Sequence, residues 1–226
     1  MLTTQFFADP EFLELLRFWD ASRDGRPLPA WSGDVAVIPR TLLPNLVVAD
    51  LRGEATYAYI GAECMRLWGS DTTGKRIFAD VLRGAHHRYV KSLFDETVAR
   101  RAPLYSTAVY QPDAANLIMT GRLLTPFTIG ASAAPNVLLT LQLFRGSEHL
   151  LSRVGVSGIV DEIRRDMITD VAALCARLED ARARYQVVRH THGRTLVQDV
   201  DTIAHELSGG VLVPLPCLEE PDAVDA

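Results

Sequence analysis

From Leu46 onward, apolar and polar residues alternate in short runs separated by turn residues. Leu46 to Leu51 and Ala55 to Ile60 flank Arg52-Gly53-Glu54, the grammar of a β-hairpin. Gly61 to Gly69 follows as a short helix closed by glycine. Ser70 to Arg76 is a polar loop, and another short helix comes after it. Upstream, Asp9-Pro10-Glu11 opens a helix whose apolar face is Phe12, Leu15, Leu16 and Trp19. Proline punctuation between Pro27 and Pro44 predicts loop with short helical turns.

A longer helix is expected from Ala85 to Arg101, with Tyr89, Val90, Leu93, Phe94 and Val98 as its stripe. Strands are expected at Leu104 to Gln111, Asn116 to Leu124 and Asn136 to Phe144. In the last of these, Val137, Leu139, Leu141 and Leu143 share one face. Leu138, Thr140, Gln142 and Phe144 share the other, so one side meets a core or pocket and the other a helix or partner. Two strands, then helices, then three strands make an α+β fold with a five-stranded antiparallel sheet.

After Gly146 the pattern changes. Ile159 to Val188 lacks Gly and Pro, and Ile159, Ile163 and Met167 recur at helical steps, which predicts a long C-terminal helix. Val171, Leu174, Leu178, Ala181, Tyr185 and Val188 form a seam of about two and a half heptads. A homodimer seam is one reading, and a helix packed back on its own sheet is the other. Thr195 to Leu207 is expected to add a helix before a loose acidic tail. The expected divisions are therefore 1–44 (helix and proline-rich lead-in), 45–148 (α+β core), 149–190 (C-terminal helix with the dimerisation seam) and 191–226 (short helix and tail).

Composition narrows the picture. The 226 residues are 48% hydrophobic and 23% charged, as in ordinary globular proteins. A net charge of −5 argues against nucleic acid as a partner. Cys64, Cys175 and Cys217 are odd in number and irregularly spaced, which fits a reducing, cytoplasmic compartment. The N-terminus does not read as a signal peptide. Residues 123–144 carry no charge, but Pro126, Gly130 and Pro135 interrupt them, so two strands and not a membrane span are expected.

Phe18-Trp19-Asp20, Arg26-Pro27-Leu28-Pro29, Ile38-Pro39-Arg40, Leu42 to Leu46, Asp50 and Tyr57-Ala58-Tyr59-Ile60-Gly61 occur in an order that resembles a bacterial single-PAS-domain family, mostly alphaproteobacterial and formerly a domain of unknown function. The resemblance covers residues 10–145. It implies an intracellular sensory or regulatory module with no shared catalytic set. Members commonly carry a polar, acidic turn after the second of the last three strands. Here Thr125 to Pro135 is uncharged and rich in small residues, which puts any role of that turn in doubt.

Candidate chemistry is sparse. Cys64 lies in a segment that resembles the flavin-adduct motif of light-sensing PAS proteins. There the cysteine belongs to the later helix, a place that holds Ile77 here, so flavin is not supported. His86 and His87 open the helix that carries the axial ligand in haem-binding PAS proteins. Matching helix ends puts that slot nearer Val90, and adjacent histidines point about 100° apart. Solvent-facing histidines are the reading, and haem is not supported. His190, His192 and His205 lack metal-site spacing. Ala204-His205-Glu206-Leu207 resembles a histidine-kinase phosphoacceptor, which leaves a phosphotransfer or kinase-associated role through His205 as an alternative. A small-molecule enzyme is a second alternative, but no acid–base constellation appears.

The pocket remains. Tyr57, Tyr59, Arg122, Thr140 and Gln142 are the strand residues best placed as ligand contacts, with Arg122 meeting an anion. The expectation is a non-catalytic, cytoplasmic, homodimeric PAS-type module with no metal site. It binds a small ligand or a partner protein and signals through its C-terminal helix.

Overall fold

The computed structural model describes residues 9–113, 116–145 and 159–180. One compact unit runs from Asp9 to Cys175. A second unit comprises Met1–Ala8 and Ala176–Ala226, and only residues 176–180 of it are described.

Helix α1 (Pro10–Ala21) starts with proline in its first turn and buries Phe12, Leu13, Leu15, Leu16 and Trp19. Each such side chain contributes about 2 kcal/mol by leaving water. Asp9 holds the cap position, but its side chain does not cap the helix N–H groups. The sheet comprises β1 (Leu46–Asp50), β2 (Thr56–Ile60), β3 (Leu104–Asp113), β4 (Asn116–Phe127), β5 (Val137–Arg145) and β6 (Ile159–Met167). Its order is β2-β1-β5-β4-β3-β6, with every pair antiparallel. Helices α2 (Ala62–Trp68) and α3 (Gly84–Arg100) lie between β2 and β3 in the chain, with a π-helical turn at Ile77–Val81 between them. This is an α+β fold, an antiparallel sheet with helices packed on it.

One face of the sheet receives α1. Phe12 meets Tyr105 edge-on at 5.4 Å, Phe18 lies 6.0 Å from Phe127, and Trp19 Nε1 donates to the Pro126 carbonyl at 2.8 Å. Gly121 on β4 permits the approach, because a Cβ there would lie 3.0 Å from Phe12 Cζ. Leu123, Leu139 and Leu141 are fully buried. The opposite face, with Leu104, Ala108, Leu124 and Leu138, packs with α2 and α3 through Cys64, Leu67, Tyr89, Val90, Leu93 and Phe94.

The rim at β2 is closed by the chain itself. Tyr57 N–H donates to Lys75 O, Gly74 N–H to Tyr57 O and Ile77 N–H to Ala55 O. Loop residues 74–77 thereby take the hydrogen bonds an outer strand would otherwise expose.

Two expectations are corrected beyond Arg145. The sheet has six strands, not five, and Ile159–Met167 is strand β6 rather than the start of a long helix. The reason is arithmetic: steps of four residues return to the same side of a strand as well as of a helix. Ile159, Ile163 and Met167 therefore satisfied both periods. A bulge adds a second twist, since Thr107 faces Arg164 while Ala108 faces Glu162. Ile163 is the extra residue and is 55% exposed. Helix α4 starts only at 171 and is described to 180, with Asp170 Oδ1 accepting from Ala173 N–H at 2.8 Å as its cap. Val171, Leu174 and Leu178 are buried within the single chain. The other seam residues, Ala181, Tyr185 and Val188, lie outside the described residues, as do the helix expected at Thr195 to Leu207 and His190, His192 and His205. No described helix is long and apolar enough to cross a membrane.

Candidate functional site

Between the sheet and its roof lies a cavity of about 100 Å³. The sheet supplies its floor. Arg122 on β4 is directly opposite Gln142 on β5, and Leu124 is opposite Thr140. Thr140 also faces Val47 across β1–β5. Two-residue alternation therefore puts Arg122, Leu124, Thr140, Gln142 and Phe144 on one side of adjacent strands. Leu67 and Trp68 from α2, Thr72 from the loop, and Val90, Leu93 and Phe94 from α3 complete the walls. Ser70, Trp68, Val81 and Phe144 are lining residues that keep some exposure, and they mark the mouth.

The sequence-derived contacts divide four to one. Tyr57, Arg122, Thr140 and Gln142 line the cavity. Tyr59 does not: its hydroxyl donates to the Leu43 carbonyl at 3.1 Å. Residues 57 and 59 would share a face in a regular strand, but β1 skips Ala58. Val48 is opposite Tyr59 and Ala49 opposite Tyr57. This bulge inverts the alternation, so Tyr57 and Ile60 join the inner core while Tyr59 turns away.

Arg122 is only 4% exposed. Its Nη1 donates to Thr120 Oγ1 at 2.8 Å, and its guanidinium lies 5.4 Å from the Tyr89 ring centre. Thr72 and Thr140 are 8% and 6% exposed, and their hydroxyl oxygens have no hydrogen-bond partner. Both line the cavity. A buried hydroxyl left unpaired costs about 1–3 kcal/mol, so two at one cavity are a feature that a bound molecule would relieve.

Sequence reasoning missed Thr72 in the polar loop, and it misplaced His86. The histidine was expected to face solvent, yet it lines the cavity. Burial, with a further contribution from the Arg122 guanidinium, pushes its imidazole down to about 3, so it is neutral near pH 7. His87 points elsewhere, with its ring 5.3 Å from Phe78. The roughly 100° step between adjacent helix residues did separate the pair, but the position of the roof decided which one turned inward.

Cys64 is fully buried and is not a lining residue, and burial pushes its thiol up to about 12. It stays protonated and offers no nucleophile to a cavity occupant. Among the described lining residues there is one imidazole, one guanidinium and no carboxylate. No cluster of potential metal ligands forms among the described residues.

The cavity connects to β6 through a polar chain. The Tyr89 hydroxyl on α3 lies 2.8 Å from Ser106 Oγ on β3. Ser106 Oγ in turn lies 2.9 Å from Glu162 Oε1 and 3.0 Å from Arg164 O. Those two atoms only accept, so Ser106 gives its one proton to them and Tyr89 is the donor to Ser106. Glu162 is held by Arg165, which also reaches Glu96 and Ser92 on α3 at 2.9 and 2.8 Å. The carboxylates around Arg165, Glu162 foremost, raise its pKa above the ordinary arginine value.

No family model matches this sequence, and no curated protein matches it. Solved structures similar to the chain include one of a single-substitution variant of RsLOV, with 16% identity over 74% of this chain and 87% of that one and a TM-score of 0.35. Another is described as an RNA-binding Light-Oxygen-Voltage receptor, with 15% identity over 70% of this chain and 42% of that one and a TM-score of 0.31. The chain thus spans about two fifths of the second structure's length.

Proposed function

We propose that this protein is a PAS-type regulatory module that takes a small molecule into its cavity and passes the occupancy on to β6 and the helix behind it. One observation carries the reading: the buried hydroxyls of Thr72 and Thr140, without partners, at an apolar cavity that also holds Arg122. A site built only for packing would pair such groups or replace them with apolar ones.

The transmission half of the reading is supported by the chain from Tyr89 through Ser106 to Glu162. Tyr89 carries Arg122 over its ring, so a ligand that draws Arg122 away alters the roof helix at the point where it is tied to β6. The output passes to a protein partner. A second copy of this chain can use Val171, Leu174 and Leu178 only by displacing what already buries them in one chain. No catalytic role is proposed, since the described cavity wall offers no acid–base pair.

Native mass spectrometry of the purified full chain, with amide exchange before and after removal of any bound molecule, tests this. A bound small molecule whose removal speeds exchange in β6 is the expected result. An empty protein whose β6 exchange never responds to any added ligand overturns it.

A further inference from the structure

We infer that the cavity is built for an uncharged molecule of single-ring size, one oxygen of which pairs with the Thr140 hydroxyl. This rests on the reading of the cavity as a ligand site and names the chemistry of its occupant. Thr140 stands on the sheet floor, opposite Leu124 on one side and Val47 on the other. Its hydroxyl is a polar point in an apolar stretch of floor, buried and without a hydrogen-bond partner. Such a group costs stability until an occupant bonds it. A wholly apolar guest leaves it as it is, whereas a hydroxyl or carbonyl oxygen accepts its proton. Thr140 suits this role better than Thr72, because a strand paired on both sides fixes its hydroxyl and Thr72 lies on a loop.

The rest of the wall selects against charge. Arg122, the one charged side chain in the described lining, is already engaged by protein groups, Thr120 and the Tyr89 ring among them. An oxygen bonded at Thr140 does not need its guanidinium, although an occupant lies beside it in the same wall. His86 adds no charge, because burial keeps its imidazole neutral near pH 7. A cation has no carboxylate to meet in the described lining. Any charged guest would give up its water for a wall of Leu67, Val90, Leu93 and Phe94, a cost that one hydroxyl does not offset. Tyr57, Trp68 and Phe144 add aromatic surface that suits a ring. The size agrees: a cavity of about 150 Å³ holds one benzene, so about 100 Å³ with an open mouth suits a single ring and little more.

The test titrates the full chain calorimetrically with phenol and benzyl alcohol. Toluene and ethylbenzene are their counterparts with a methyl in place of the hydroxyl, and benzoate is the charged ring. Trp68, at the mouth and 5.6 Å from Tyr57, gives a fluorescence signal alongside. At least one hydroxylated ring is expected to bind about tenfold more tightly than its hydrocarbon counterpart. A plain apolar hole gives the reverse order, because the hydroxyl loses water and gains no bond. Thr140→Val should erase the preference, and Thr140→Ser should keep part of it. Hydrocarbons that bind as tightly as their hydroxylated counterparts, or a preference that survives Thr140→Val, overturn the pairing with Thr140. Benzoate binding more tightly than both hydroxylated rings overturns the choice of an uncharged guest. No binding of either hydroxylated ring overturns the ligand class and leaves the cavity reading to the mass-spectrometric test above. Binding that ignores both Thr140→Val and Val90→Phe puts the ligand elsewhere and overturns the cavity reading itself.

Discussion

The Tyr89 hydroxyl donates to Ser106 Oγ at 2.8 Å, tying the roof helix to the sheet in the buried layer between them. Tyr89→Phe removes one neutral bond and should cost about 1 kcal/mol. Ser106→Ala leaves several groups without their partner and should cost about 1–3 kcal/mol. Urea denaturation of the two single variants and the double variant checks this. The double variant should lose less than the sum, because both changes remove the same bond.

Thr140→Val should stabilise the empty protein by about 1 kcal/mol. The change keeps the shape of the side chain and removes a hydroxyl that is buried without a partner. A higher urea midpoint together with weaker ligand binding is the expected pair of outcomes. This is the trade that binding sites commonly make against stability.

Gly61→Ala should be severe. A Cβ at this position would lie 2.2 Å from Leu43 O and 2.3 Å from Pro44 O, both backbone atoms that cannot swing aside. A loss of about 3 kcal/mol or more is expected, read as a fall in melting temperature or as insoluble expression.

Acid should weaken the fold partly through His86. In the unfolded chain its imidazole takes up a proton near pH 6.5. In the folded protein it does so only at about 3. Between those values the unfolded state binds more protons, so stability falls as the pH is lowered from 6.5. Carboxyls held low, such as Asp50 beside Arg52 and Asp80 beside Arg76, add to acid sensitivity further down. Urea midpoints at pH 7 and pH 5 separate the effects: His86→Gln should lose less than the unaltered protein over that interval.

Much of the fold was legible because its signals are local. The hairpin, the glycine-closed α2, the stripe of α3 and the alternation along β5 each follow from a run of fewer than twenty residues. Thr140 and Gln142 came with that alternation. What the sequence hid was set at a distance. The Ala58 bulge that turns Tyr59 outward exists only in the pairing with β1. Strand β6 owes its state to β3, with which it pairs along its length, and its own four-residue spacing is silent on the choice. His86 faces inward because of where the roof sits over the sheet, which no helix-start pattern records. The unpaired hydroxyls of Thr72 and Thr140 are equally invisible in a string of letters, since what matters is the partner each lacks.

The segment that seals the rim of β2 also leads straight from Thr72 in the cavity wall toward the π-helical turn and the roof. Swinging that wall outward to admit a guest would unzip the backbone bonds at Tyr57, Gly74 and Ile77. Those three amides are a built-in gauge of how often the pocket breathes, and they make the entry rate of any guest a property of the sheet's border.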